Sequence, residues 1–199
     1  MAWFGISNII LKNKRMQIDK IFSLFDSLVT PVATYGSPIW LPYSIPKKCF
    51  ETRTNMINSW ETFKSELINQ KCARMALSVK KTTPRLAVLG ELGRYPVFVP
   101  TLANCLNYKL SLFSRKSTNK MINHALVEME KLKNKDCESW LTRVCKIEKA
   151  LNIPQNLFYN KMSGKKILAI LKSRFDSNFL LKINEVKQTN LDPMDHNKL

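Results

Sequence analysis

Chemistry on a phosphodiester or a nucleotide begins with clustered carboxylates, because two cations need several anionic oxygens to hold them. The aspartates of this chain are Asp19, Asp26, Asp136, Asp176, Asp192 and Asp195. No two are adjacent, and Asp192 and Asp195 fall in a polar tail. Asp19 and Asp26 stand seven apart and share a helix face, where a solvated or capping role is expected rather than a metal pair. The two histidines, His124 and His196, have no nucleophile placed beside them in the sequence. Cys137 and Cys145, eight apart with His124 upstream, do not match a zinc-ligand pattern. Gly90-Glu91-Leu92-Gly93 has the wrong spacing for a phosphate-cradling loop. The expectation is no catalytic residue, no metal and no cofactor.

Binding is better represented than catalysis. Thirty-two Lys and Arg against fifteen Asp and Glu leave a net charge of +17. Such an excess attracts polyanions and gains affinity by releasing their counterions. Nucleic acid is the first candidate partner, and an anionic membrane surface the second. The basic residues come in clusters. Lys71, Arg74, Lys80, Lys81 and Arg85 follow one another without an acid, and Arg94 lies beyond them. A phosphate grip and a turn-locking pair with Glu91 are both open to Arg94. Lys109, Arg115, Lys116 and Lys120 form another acid-free run. Lys161, Lys165, Lys166, Lys172 and Arg174 make a further cluster, tempered by Asp176. The start of a helix near Thr83 would add backbone amides to the same phosphate. Of the four tryptophans, Trp60 and Trp140 lie on apolar faces. Trp40, among prolines, could stack on a base or cover the underside of its loop.

The elements that carry these residues read as helices. Only five glycines occur in 199 residues, which argues against many tight hairpins. Apolar residues recur at intervals of three and four over 17–35, 57–79, 84–90, 98–113, 140–151 and 165–183. Pro31 should kink or end the first of these. Thr83 suits an N-cap with Pro84 at the first helical position, and Gly90 or Gly93 suits the helix end. Pro38, Pro42 and Pro46 predict an extended, proline-rich loop over 36–50. The expected fold is therefore all-α, a bundle of about five to seven amphipathic helices. A chain of this length buries roughly 70% of its unfolded surface and can build a real core. The five cysteines are odd in number and predict reduced thiols, with Cys72 and Cys105 as small buried hydrophobes. No run of apolar residues is long enough to cross a membrane. A nuclear or cytoplasmic location is expected. The apolar positions Trp3, Phe4, Ile6, Ile9 and Ile10 form a stripe expected to be poorly buried, open to a partner protein.

Two runs carry a resemblance. The first is Leu24-Phe25-Asp26-Ser27-Leu28-Val29-Thr30-Pro31-Val32-Ala33-Thr34-Tyr35-Gly36-Ser37-Pro38-Ile39-Trp40. The second is Val79-Lys80-Lys81-Thr82-Thr83-Pro84 followed by Ala87-Val88-Leu89-Gly90-Glu91-Leu92-Gly93-Arg94-Tyr95-Pro96. Together they resemble the stretch that follows the polymerase core in non-LTR (LINE-type) retrotransposon reverse transcriptases. The Gly-Glu-Leu-Gly-Arg-Tyr-Pro run is the more specific, and Ser139-Trp140 fits the downstream region more loosely. The resemblance covers about residues 17–152. Where Pro38 stands, the family often has Glu. The family's catalytic aspartates lie upstream of this region and have no counterpart here. The expected division is a thumb-like region over 1–135, as the resemblance implies, a helical extension over 136–185 and, from its polarity, a frayed tail over 186–199. It implies a fragment that is no enzyme by itself and holds an RNA or DNA duplex by its backbone. The missing polymerase core would be a partner for the N-terminal stripe. The alternative is a retroelement-derived helical module that binds protein and has no nucleic-acid role.

Overall fold

The computed structural model describes residues 16–114, 119–135, 137–153 and 164–189. Among them are ten α-helices and two 3-10 turns, with no strand. The fold is all-α, as the three-and-four spacing requires. The N-terminal apolar stripe, Arg115, Lys116, Lys161 and the last ten residues lie outside the described residues.

The first helix, α1 (Ile18–Leu28), is followed by α2 (Thr30–Thr34), with Pro31 in its first turn, where the missing N–H costs nothing. Next come α3 (Ser37–Ser44), a 3-10 turn at Lys47–Phe50, α4 (Arg53–Asn58) and a 3-10 turn at Ser59–Thr62. The chain continues through α5 (Lys64–Leu77), α6 (Arg85–Glu91), α7 (Phe98–Ser114), α8 (Lys120–Asn134), α9 (Trp140–Ala150) and α10 (Gly164–Thr189).

The expected extended loop over 36–50 is instead mostly helical. Pro38 occupies the first turn of α3, where proline is favoured. Pro42 lies inside the helix and cannot donate to the Pro38 carbonyl. That carbonyl is not left bare: the Trp140 indole N–H donates to it at 2.7 Å, and the Cys105 thiol lies 3.6 Å away. The proline thus trades an internal bond for one that pins α9 and α7 onto α3. Ile45 turns extended before Pro46 and stops the helix. At that end the Arg143 guanidinium donates to the Pro42 carbonyl at 2.9 Å, a cation closing a helix C-terminus. Glu138 in turn pairs with Arg143 at 2.8 Å and with Lys47 at 3.2 Å.

The single helix expected over 57–79 is broken at Phe63, whose backbone is extended at φ −74° and ψ 123°. The apolar period runs through the break, so spacing alone conceals it. The break lets two rings enter the core from different directions. Trp60 meets Phe175 edge-on at 6.1 Å, while Phe63 stacks on Trp40 and meets Phe98 edge-on, each at 5.5 Å. It also turns α5, which buries Glu66, Asn69, Gln70, Cys72 and Ala73, while Leu67 and Val79 face water.

Two apolar clusters form. The larger gathers α3, α4, α7, α9 and α10 around Leu41, Met56, Trp60, Leu102, Leu106, Val144, Ile147 and Leu171. It draws on residues from both sides of position 135. The smaller packs Ile21, Phe22, Phe25 and Val29 against Cys72, Ala73, Val88 and Val97. Neighbouring residues Val97 and Phe98 belong to different clusters, so the two meet at the start of α7. Buried Glu66 sits on that seam and accepts from the Phe98 N–H at 3.0 Å.

Candidate nucleic-acid interface

The basic run from Lys71 to Arg85 folds as the end of α5, a turn over residues 78–84, and the start of α6. Ser78 ends α5 in the left-handed region at φ 55°. Its N–H bonds to the Met75 carbonyl and that of Val79 to the Arg74 carbonyl, closing the helix in the manner usually given to glycine. Beyond it, Pro84 rather than Thr83 is the cap of α6, and no side chain caps that helix. With seven residues, α6 is too short to supply an anion-binding terminus of its own. Gly93, at φ 59°, ends it, while Gly90 lies within it.

The cations of this run divide into two sets. Lys71, Lys80 and Lys81 are exposed. Arg74 instead donates to the Thr83 carbonyl at 3.0 Å, drawing the turn back against α5. Arg85 donates to the Glu61 carbonyl at 2.8 Å, tying α6 to the second 3-10 turn. The arginines brace the turn; Lys80 and Lys81 are exposed within it, and Lys71 is exposed on α5.

Arg94 does neither of the two things its sequence neighbours suggest. Its guanidinium pairs with both oxygens of Asp26, at 2.6 and 3.0 Å, and lies 4.2 Å over the Phe22 ring. Asp26 is therefore an ion-pair partner as well as a half-solvated carboxylate. The partner is 68 positions away in sequence, which no local spacing announces. The pair also joins the two runs that carry the resemblance, one holding Asp26 and the other Arg94.

The other basic clusters are partly consumed by the fold. Lys109 is internal and makes a 2.5 Å pair with Glu148, with the Cys145 sulfur at 3.5 Å. Burial pushes the Glu148 carboxyl up, and the Lys109 charge pulls against it. Lys120 is exposed at the start of α8. On α10, Lys165 and Lys166 are exposed, whereas Lys172 lies 4.9 Å over the Tyr95 ring. Arg174 lines a small gap with Phe98, Leu171 and Phe175. The Tyr95 hydroxyl donates to Asp176 at 2.8 Å, which raises its pKa.

Trp60 and Trp140 are buried, as their apolar faces suggest. Trp40 stacks inward on Phe63, and its N–H donates to the Tyr35 carbonyl at 2.7 Å. Two exposed rings beside it were not singled out by sequence spacing: Tyr35 is 86% exposed and Tyr43 is 52% exposed. Cys72 and Cys105 are fully buried, and burial pushes both thiols up to about 12. Among the described residues no three potential ligands converge on a metal position. No helix among them is long and apolar enough to cross a membrane. Comparison with protein-family models, with curated proteins and with solved structures returned no match.

Proposed function

We propose that the chain is a helical module that grips the phosphate backbone of nucleic acid, largely blind to sequence, and performs no chemistry of its own. In this reading it corresponds to the thumb and post-thumb part of a non-LTR retrotransposon reverse transcriptase. The observation that carries the reading is the braced turn over residues 78–84. Arg74 and Arg85 spend their hydrogen bonds on carbonyls of the fold, so Lys71, Lys80 and Lys81 present their charge from a fixed base. The excess of +17 supports a polyanionic partner, since thirty-two cations outnumber the fifteen carboxylates that could neutralise them within the chain. The Asp26–Arg94 pair supports the resemblance, because it makes one structural unit of the two runs.

The test is a salt titration of duplex binding by the full chain. Each phosphate neutralised on duplex DNA contributes a slope of about −0.9 in log affinity against log salt. Replacing Lys71, Lys80 and Lys81 together with Ala should weaken binding to unrelated duplexes alike and flatten the slope by about two to three. The helical circular dichroism spectrum should not change. An unchanged slope would sink the assignment of this turn. Salt-insensitive affinity for a protein, with none for duplex, would favour the protein-binding reading instead.

A further inference from the structure

Beside the larger core an ion pair and a thiol meet, and the nucleic-acid reading uses none of the three groups. Cys145 and Glu148 stand three apart on α9 and so share a face. Lys109 reaches that face from α7. Its amine lies 2.5 Å from Glu148 Oε2 and 3.5 Å from the Cys145 sulfur. The Lys109 and Glu148 side chains are only 11% and 9% exposed, whereas Cys145 sits between buried and exposed. The amine and the carboxylate are thus shielded from water, while the sulfur is open to a small oxidant. Reactive thiols are found in partly exposed, electropositive surroundings of this kind.

The other cysteines are placed differently. Cys49, Cys72 and Cys105 are buried, and burial raises all three thiols. Cys137 is exposed ahead of α9. The carboxylate adds a second feature. Glu148 holds Lys109 through Oε2, but its Oε1 is buried with no hydrogen-bond partner. Burial also pushes this carboxyl toward its protonated form, against the Lys109 charge. Glu148 is therefore a ready acceptor for a proton from the amine it pairs with. Lys109 can close the remaining distance to sulfur because its four-carbon stem is flexible.

We propose that Lys109 and Cys145 form a covalent sulfur–nitrogen bridge when the chain meets hydrogen peroxide, with Glu148 taking a proton from the amine. Peroxide first oxidises the Cys145 thiol to a sulfenic acid: its O–O bond breaks, one oxygen stays on sulfur and the other leaves as water. The Lys109 ammonium then passes one proton to Glu148, and the freed amine attacks the sulfenic sulfur. The S–N bond forms, the S–O bond breaks, and the departing hydroxide leaves as water with a second amine proton. The bridge ties α7 to α9, and a thiol reductant returns both side chains. It is a modification of the chain rather than catalysis, and it does not rest on the nucleic-acid reading.

The experiment treats the folded full chain with hydrogen peroxide and maps its peptides by mass spectrometry. A peptide pair joined through Lys109 and Cys145, lighter than its two parts by about 2 Da, should appear and should vanish after dithiothreitol. The same treatment in urea should not yield it, because unfolding separates α7 from α9. Lys109→Arg keeps a cation for Glu148 but offers a guanidinium that stays protonated, so its Cys145 should pass on to sulfinic acid, a gain of about 32 Da. Cys145→Ser should give no bridge, and unchanged helical circular dichroism shows that the variants fold. If Lys109→Arg does not fold, Cys145→Ser and the urea arm decide the matter. The proposal is overturned by a parent whose Cys145 passes to sulfinic acid with Lys109 unmodified. A disulfide from Cys145 to Cys105 or Cys137, a Cys145 that peroxide leaves untouched, or a bridge that forms equally in urea overturns it too.

Discussion

Glu66 offers a direct test of the seam between the two cores. Its carboxylate is fully buried and accepts from the Phe98 N–H at 3.0 Å and from the Asn69 side-chain amide at 3.1 Å. Burial pushes its pKa from the ordinary 4.5 up to about 7, against the pull of Asn69, the Phe98 and Val97 amides and the Arg94 charge. The native state therefore binds a proton over a window in which the unfolded chain has released it. Stability must fall as pH rises from about 4.5 to about 7, and then level off. At roughly 1.4 kcal/mol per pH unit, the loss from this one group is capped at about 3 kcal/mol. Glu66→Gln removes the charge at every pH while keeping an oxygen for the Phe98 N–H. Asn69 Oδ1, buried and unpaired, can accept from the new amide once the Asn69 amide flips. Urea unfolding of parent and variant at pH 5, 6, 7 and 8 gives the difference with other titrations cancelled. The variant should match the parent near pH 5 and exceed it by about 3 kcal/mol near pH 8. A difference that does not move with pH, or a variant weaker at pH 8, would refute the reasoning.

Trp140→Phe should cost about 1–3 kcal/mol, because the Pro38 carbonyl loses its N–H donor. Adding Pro42→Ala should recover part of that in thermal unfolding, by restoring the internal helix bond to the same carbonyl. A double-mutant cycle on Asp26 and Arg94, with alanine at each, should give a coupling of about 1 kcal/mol, modest because Asp26 is half exposed. Negligible coupling would mean the two resemblance runs are not joined there. Leu126 is the single buried residue recorded for α8, so Leu126→Ala should cost about 2–5 kcal/mol and speed hydrogen exchange over 120–134 ahead of other helices.

Where residues specify structure locally, the sequence told the fold well. Three-and-four spacing announced most helices, and Gly93 announced the end of α6. The misses have a common origin in distant partners. Pro42 reads as a helix breaker until Trp140, far along the chain, is seen to take the freed carbonyl. Helix α8 escaped notice because its stripe is thin: Leu126 is buried, while Met121 is 82% exposed. At the candidate interface, composition identified the basic run but could not sort it. Whether an Arg faces water or a carbonyl depends on chain that folds back from elsewhere, as Glu61 does to Arg85 and Asp26 to Arg94.

The Pro38 carbonyl also bears on how the chain is made. Its donor arrives 102 residues later, with one wall of the larger core, and α10 adds another later still. Closing a loop of that length costs roughly 4 kcal/mol in chain entropy by the logarithmic law. During synthesis, the segment between Pro38 and Trp140 would leave the ribosome with α3 still lacking its indole donor and with an open apolar face. Only the emergence of α9 supplies both the indole N–H and the Arg143 cation that finish α3. The N-terminal part should therefore be slow to commit and exposed to chaperones until translation has passed Trp140. A nascent chain stalled just before that residue should be cut readily by protease near 36–50, and one stalled well past α9 should resist.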